Sequence, residues 1–295
     1  MSDSAGSTRP APSLRNRVCL VTGATSGIGR VAATALADMG ATVLLTGRDR
    51  GRGEAAIDEI RRRGGTAEFL QVDFASLRAV RALAAEVRSR HSRLDVLLNN
   101  AGGVSMERRL TPDGIEQTFA VNHLAPFLLT NELRDLLVAS APARIVTVSS
   151  QAHRALKTLE FDNLQGERRY KPLLAYSISK LANIMFTYEL DRQLRDRGVT
   201  ANCVHPGVVS TGIWNGSRGV IRLLIRLAQP FMLSVERGAR PLIKLASDPE
   251  CAAISGCYFE KEKAVPSSPL SYDAKVAMRL WETSAAMIAT ALARS

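Results

Sequence analysis

The sequence predicts an α/β fold, a doubly wound parallel sheet in a single domain, and three observations predict it. Short runs rich in Val, Ile and Leu alternate with longer runs of helical periodicity from residue 17 onward. The short runs are apolar throughout, as expected of strands covered on both faces. No internal repeat and no linker divides the chain.

The segment RVCLVTG (17–23) reads as the first strand, stopped by its glycine, and GIGRVAATALADMG (27–40) as the first helix, ending at Gly40. ATVLLTG (41–47) is the second strand, RGEAAIDEIRRRGG (52–65) the second helix and AEFLQVD (67–73) the third strand. SLRAVRALAAEVRSRH (76–91) is helical again, and LDVLLNNAG (94–102) is a fourth strand. A long segment, 113–139, precedes the fifth strand, ARIVTVSS (143–150). The helix containing AYSISKLAN (175–183) follows, then VTANCVHPG (199–207) as the sixth strand. After Gly207 the alternation stops, and Thr211 to Glu250 holds two helical patterns with no strand between them. A last short strand, SGCYFE (255–260), leads through a polar loop to an amphipathic helix from about Asp273. Residues 1–14 are small and polar with no apolar stretch, so a disordered tail is expected before a domain spanning 15–295.

Composition narrows the function. A hydrophobic fraction of 46% and a charged fraction of 23% are those of a folded globular chain. No apolar run reaches the roughly 18–20 residues of a transmembrane helix. The net charge of +11 invites a nucleic-acid reading, but the basic residues are dispersed among acidic neighbours and no recognition module accompanies them. No nucleic-acid partner is therefore expected. The four cysteines and four histidines show no metal-ligand spacing, so no metal site is expected. Cys19 and Cys203 fall in buried strands, which fits reduced thiols and a cytoplasmic setting.

Between the first strand and first helix, TGATSGIG has glycines at 23, 27 and 29. Such a turn lets backbone N–H groups approach a pyrophosphate at a helix N-terminus, although a tight turn with nothing bound is the plain alternative. A dinucleotide would lie beyond the carboxyl ends of the strands. Its type is read at the end of the second strand, where a 2′-phosphate prefers Arg and a ribose hydroxyl prefers an acid. Arg48 stands there, with Asp49 as competitor, so NADP(H) is expected; Arg48 as a plain loop residue is the alternative. Asp73 is placed either to bond the adenine or to cap the next helix, a task Ser76 can also perform.

Tyr176 and Lys180 lie one helical turn apart. Six pieces, in order, frame them: TGATSGIG, NNAG (99–102), VNHLAPFLLT with Asn122, VTVSS ending at Ser150, YSISK, and HPGVVST (205–211). With these in register the chain resembles the short-chain dehydrogenase/reductase family from about Arg15 to Thr283, and most of all its retinol dehydrogenase group. The resemblance implies a Rossmann fold and hydride transfer between NADP(H) and a lipophilic carbonyl or alcohol. It makes Tyr176 the general acid/base, Lys180 its electrostatic partner and a ribose ligand, and Ser150 the hydroxyl on the substrate oxygen. Asn122 would hold a water that links Lys180 to solvent, or tie its helix to a neighbouring strand. Ser149 is the alternative to Ser150, and an exposed, idle Tyr176–Lys180 pair is the alternative to a catalytic one. For Tyr176 to be half ionised at pH 7, its pKa must fall by about 3 units, roughly 4 kcal/mol, and Lys180 is expected to help.

The resemblance also assigns cofactor contacts to Thr22, Gly23, Thr25, Ser26, Gly27, Ile28, Gly29, Asn99, Ala101 and Gly102. Further contacts fall on Tyr176, Lys180, Pro206, Gly207, Val209 and Thr211, where a simple Pro-Gly turn is the alternative. Residues 212–233 occupy the place of a substrate lid and could also touch a membrane surface, or simply pack as an amphipathic helix. Leu156, Tyr170 and Trp214 are candidate pocket residues. A homodimer or homotetramer through the helices holding Asn122 and Tyr176 is implied. Two other readings are a carbon–carbon double-bond reductase of the same fold and a catalytically silent NADP(H) sensor.

Overall fold

The computed structural model describes residues 13–209 and 232–294. The apolar runs become strands β1 (Val18–Val21), β2 (Thr42–Gly47), β3 (Thr66–Gln71), β4 (Val96–Asn99), β5 (Ala143–Val148), β6 (Val199–His205) and β7 (Cys257–Glu260). All seven are parallel in one sheet of order β3-β2-β1-β4-β5-β6-β7. An eighth strand, β8 (Lys263–Ala264), returns antiparallel on β7 and was not foreseen. Its turn runs through Lys261 and Glu262, both at positive φ (46° and 66°), without the Gly or Asn that usually announces such a turn.

The helices are α1 (Gly27–Asp38), α2 (Arg50–Arg62), α3 (Leu77–Arg90), α4 (Gln117–Phe119), α5 (Ala125–Glu132), α6 (Arg134–Ala139), α7 (Pro172–Leu194), α8 (Val235–Ser247) and α9 (Ala274–Ala293). Between α4 and α5 the chain continues as a π segment, Ala120–Leu124, whose closing bond runs from Ala125 N–H to Ala120 O. Of the two helical patterns expected between 211 and 250, the second is α8; the first lies outside the described residues.

Two cores face the sheet from opposite sides. Leu36, Val43, Leu45, Val204 and Leu242 join α1 and α8 to one face. Leu20, Leu97, Ile145, Leu83, Phe119, Leu129, Leu181 and Leu280 join α3, α4, α5, α7 and α9 to the other. This two-sided cover explains why the strands read as unbroken apolar runs. Helix α9 lies over α5 and α7: the Trp281 ring sits 4.7 Å from Phe127 and 5.7 Å from Phe186. Phe127 and Phe186 are thereby covered by the chain's own last helix.

The chain leaves β1 outward to β2 and β3, then returns to β4 on the other side of β1. That reversal opens a crevice at the strands' carboxyl ends. At the opposite ends, the buried Asp95 (3% exposed) fixes β4 against β1. It accepts hydrogen bonds from Val18 N, Arg17 Nη1 and the Arg93 guanidinium at 2.6–2.8 Å. Burial would raise this carboxyl's pKa, but the bonds from Arg93, Arg17 and Val18 hold it below the usual carboxylate range. Its contribution is therefore present above about pH 4 and is lost as pH falls through the depressed value. Asp95→Ala is expected to cost about 3 kcal/mol in urea unfolding at pH 7, leaving two cations and an amide without their acceptor.

Candidate active site

The turn after β1 is built by its hydroxyl and its glycines. Thr22, 2% exposed, donates to Leu98 O (3.2 Å) and accepts from Asn100 N (2.8 Å) and Ala101 N (2.9 Å), which locks the ends of β1 and β4 together. Gly23 takes φ 65°, and a Cβ there would stand 2.9 Å from Ala101 Cα. At Gly29 a Cβ would stand 2.6 Å from the Gly23 carbonyl oxygen. Both positions need glycine for close backbone approach. Ser26, the first residue before α1, makes no side-chain cap, so it leaves the helix's leading N–H groups facing the crevice. These features form a cradle suited to a dinucleotide pyrophosphate.

The cradle opens into a cleft of about 480 Å³. Gly23, Thr25, Ser26, Gly27, Ile28, Gly29, Arg48, Asp73, Ala101, Gly102, Tyr176, Lys180 and Pro206, all expected at the cofactor, line it together. At the β2 end Arg48 is joined by Arg52, which sequence reading overlooked. Asp49, the competitor of Arg48, caps α2 by accepting from Arg52 N at 3.0 Å. Asp73 accepts from Ala75 N (3.0 Å), while Ser76 caps α3 through Ala79 N (3.2 Å).

Two expected side chains are engaged away from the cleft. Thr22 spends its hydroxyl inside the β1–β4 junction. Asn99 points away from the cleft, buried at 4%, and donates to Thr130 Oγ1 at 3.0 Å. Its neighbour Asn100 lines the cleft instead and donates to the carbonyls of Thr22 (2.8 Å) and Gly23 (3.2 Å), because successive strand residues face opposite ways. Gly207 packs against Leu233, and Val209 is buried beside Gly238 and Ile28. Thr211 and Trp214 lie outside the described residues, as does the lid except for Met232 and Leu233. Two candidate pocket residues are also engaged: Leu156 is in the core, and the Tyr170 hydroxyl donates to Ser105 O at 2.7 Å.

The four candidate catalytic residues converge at the end of β5. Ser150 is partly exposed there, and its side chain stands near enough to the Tyr176 phenol to lower that group's pKa. Ser149 is 1% exposed and donates to the backbone carbonyl of Lys180 at 2.8 Å, which leaves Ser150 as the serine able to meet a substrate. Lys180 is buried at 4% exposure, 5.5 Å from the Tyr176 ring centre, and its ammonium donates to Val148 O at 3.0 Å. Asn122 holds both backbone groups of Gly103, accepting from its N (2.8 Å) and donating to its O (2.9 Å), and also donates to Ser179 Oγ (3.0 Å). It thus ties the π segment to the loop after β4.

The charge balance differs from expectation. Burial raises the Tyr176 pKa above the usual phenol value, and the Ser150 side chain only partly opposes it. Burial also lowers Lys180 from 10.5 to about 8. Burial, not Lys180, sets the direction of the phenol's shift. Near pH 7 the phenol is protonated and the lysine mostly charged.

A lysine depressed in this way weakens the fold below its folded pKa. As pH rises from about 8 to 10.5 the penalty disappears, because only the unfolded chain then keeps its proton. Lys180→Met is therefore expected to raise the unfolding free energy at pH 7 by about 2 kcal/mol, net of the lost Val148 bond, with the gain fading across that window. Urea titrations at pH 7 and near pH 10 measure it. A Lys180→Met protein no more stable than wild type at pH 7 would contradict the burial argument.

A family model of the short chain dehydrogenases matches residues 17–219. Human retinol dehydrogenase 14 is 41% identical over 295 residues, covering 93% of this chain and 87% of its own. A Streptomyces sp. (strain C5) protein provisionally named daunorubicin C-13 ketoreductase, DnrU, is 41% identical over 281 residues, covering 95% of each. Among solved structures, a short chain dehydrogenase from Burkholderia cenocepacia J2315 in complex with NADP superposes with a TM-score of 0.68 at 30% identity, covering 83% of this chain and 96% of that one. With the Rossmann sheet and these relatives in hand, the chain belongs to the short-chain dehydrogenase/reductase family, as an oxidoreductase of its retinol dehydrogenase-like group.

Proposed function

We propose that the protein interconverts a carbonyl and an alcohol on a lipophilic substrate with NADP(H), and that Tyr176, Lys180, Ser150 and Asn122 form its catalytic set. The observation that carries the reading is the meeting of Ser150, Tyr176 and Lys180 beside a glycine-built cleft at the sheet's switch point. A nicotinamide held in this cleft would supply or accept the hydride. In the reductive direction Tyr176 gives its phenolic proton to the carbonyl oxygen as the C–H bond forms, and the Ser150 hydroxyl steadies the oxygen's developing charge. The Lys180 ammonium stabilises the phenolate left behind and offers its remaining N–H groups to the cofactor ribose. Asn122 keeps Gly103 and Ser179 in place around that ammonium.

Preference for the 2′-phosphate follows from Arg48 and Arg52 on the cleft wall, with Asp49 already engaged at the α2 cap. The NADP complex of the Burkholderia relative supports it. A lipophilic substrate is supported by two exposed apolar side chains, Leu173 (64% exposed) one turn before Tyr176 and Val208 (62%) two residues past Pro206. The names of the two relatives, a retinol and an anthracycline enzyme, point the same way. No helix among the described residues is long and apolar enough to cross a membrane. The four cysteines, all free, fit a reducing, cytoplasmic setting.

NADPH oxidation over medium-chain aldehydes, retinal, steroids and polycyclic ketones tests the reading. Turnover is expected with at least one class and falls by 10³-fold or more, on the order of 4 kcal/mol, in Tyr176→Phe with NADPH binding retained. NADPH binding without turnover across the panel would favour a sensor instead. Arg48→Asp is expected to weaken NADPH binding about tenfold or more relative to NADH. Unchanged selectivity, measured by fluorescence titration, would remove Arg48 from the cofactor assignment.

A further inference from the structure

We propose that His153 is a positioning residue for Ser150, a neutral clamp whose ring N–H holds the serine's backbone carbonyl. The inference rests on the reading of Ser150 as the hydroxyl that meets the substrate. His153 is fully buried (0% exposed) in the short 3₁₀ turn Gln151–Ala155 that follows β5. Its Nε2 lies 3.0 Å from the backbone nitrogen of Ser268, far along the chain. A backbone N–H only donates, so Nε2 is the acceptor and bears no proton. The ring proton therefore sits on Nδ1, which donates to the Ser150 carbonyl oxygen at 2.6 Å. Protonating Nε2 would set one N–H against another, and burial also keeps the ring below the usual histidine range. The ring's other contact is edge-to-face packing on Tyr258, centres 4.9 Å apart.

The clamp joins Ser150 to the helix of Tyr176 by a second route. The β5–β6 ladder ends with Ser149 N–H on Val204 O. Ser150 lies one residue further, in extended conformation, and its Oγ accepts from Ala152 N at 3.2 Å. Across the clamp, Ser271 donates to the Ser268 carbonyl, and the hydroxyls of Ser271 and Ser267 meet at 2.6 Å. Ser267 in turn meets the Tyr188 hydroxyl at 2.7 Å, and Tyr188 is on α7 with Tyr176. Ser150 is thus referred to α7 directly through the Tyr176 phenol and indirectly through His153, Ser268, Ser271, Ser267 and Tyr188. A circuit closed on one rigid helix fixes the distance between the two reacting hydroxyls. Displacement of a reacting group by about 1 Å costs on the order of a hundredfold in rate.

The test compares wild type with His153→Leu, His153→Asn and Ser150→Ala, using NADPH and the best carbonyl from the panel. Turnover is expressed per NADPH-binding site, so that misfolded protein does not count. His153→Leu is expected to lower kcat about tenfold to a hundredfold with the NADPH Kd unchanged. His153→Asn, whose side-chain N–H replaces the Nδ1–H toward Ser150, is expected to recover most of that loss. Side-chain ¹⁵N NMR of wild type is expected to show His153 as the neutral Nδ1–H tautomer, assigned by its loss in His153→Asn. The proposal is overturned if His153→Leu keeps wild-type kcat while Ser150→Ala loses it, or if Asn rescues no better than Leu. An Nε2–H tautomer overturns it whatever the kinetics, and this arm stands even if His153→Leu does not fold. Full turnover in Ser150→Ala would instead sink the reading of the active site.

Discussion

The Lys180 ammonium, 4% exposed, rests on the carbonyl oxygen of Val148 at 3.0 Å, and much of the molecule is arranged to keep it there. An ammonium taken out of water with a neutral acceptor is unfavourable unless its surroundings are rigid and hydrogen-bonded. Rigidity comes from α7, in which Ser177 to Thr187 are buried without a break, so every face of three turns is packed. Hydrogen bonds hold both ends of the contact. Ser149 donates to the Lys180 carbonyl at 2.8 Å, and Asn183, one turn further on, donates to Val148 O at 3.2 Å. The helix that carries the proposed Tyr176–Lys180 pair is therefore pinned to the strand that leads to Ser150.

The same bracing extends outward through side chains that do no chemistry. Asn183 Oδ1 meets His123 Nδ1 at 3.3 Å, and the other ring nitrogen meets Ser284 Oγ of α9 at 2.9 Å. Burial lowers the His123 pKa to about 4, against the Asn183 bond, so the ring is neutral at physiological pH. It sits among Phe119, Phe127 and Phe186 at centre distances of 5.1–6.2 Å. The last helix thus completes the support of α7 by aromatic packing and by a polar contact that specifies how it docks.

Much of this was legible in the sequence, and the failures have definite physical causes. Strand positions followed from unbroken apolar runs, and the crevice followed from where the glycines 23, 27 and 29 fall relative to β1 and α1. Ser150 over Ser149 was readable only as a resemblance; the structure adds that Ser149 is spent on a helix carbonyl. Asn99 was named where Asn100 lines the cleft, and strand alternation sends the two amides to opposite sides. Thr22 stands next to cradle residues, but sequence adjacency says nothing of which way a side chain turns. His153 and Asp95 went unnoticed because one partner of each, Ser268 N and Val18 N, lies 115 and 77 residues away in the chain, and no local pattern encodes such pairs.

Burial also bears on the direction of the chemistry. A group that must donate a proton is best kept protonated, and desolvation does this for Tyr176 at neutral pH. Taking a proton from an alcohol needs the phenolate, which the same burial disfavours, and Lys180 on its Val148 carbonyl is not enough to reverse that. Oxidation therefore calls for further positive charge beside the phenol, which an oxidised nicotinamide would bring and a reduced one would not. Reduction calls for no such help. On the proposed reading, burial keeps Tyr176 protonated near neutral pH, the form that can give a proton to a carbonyl.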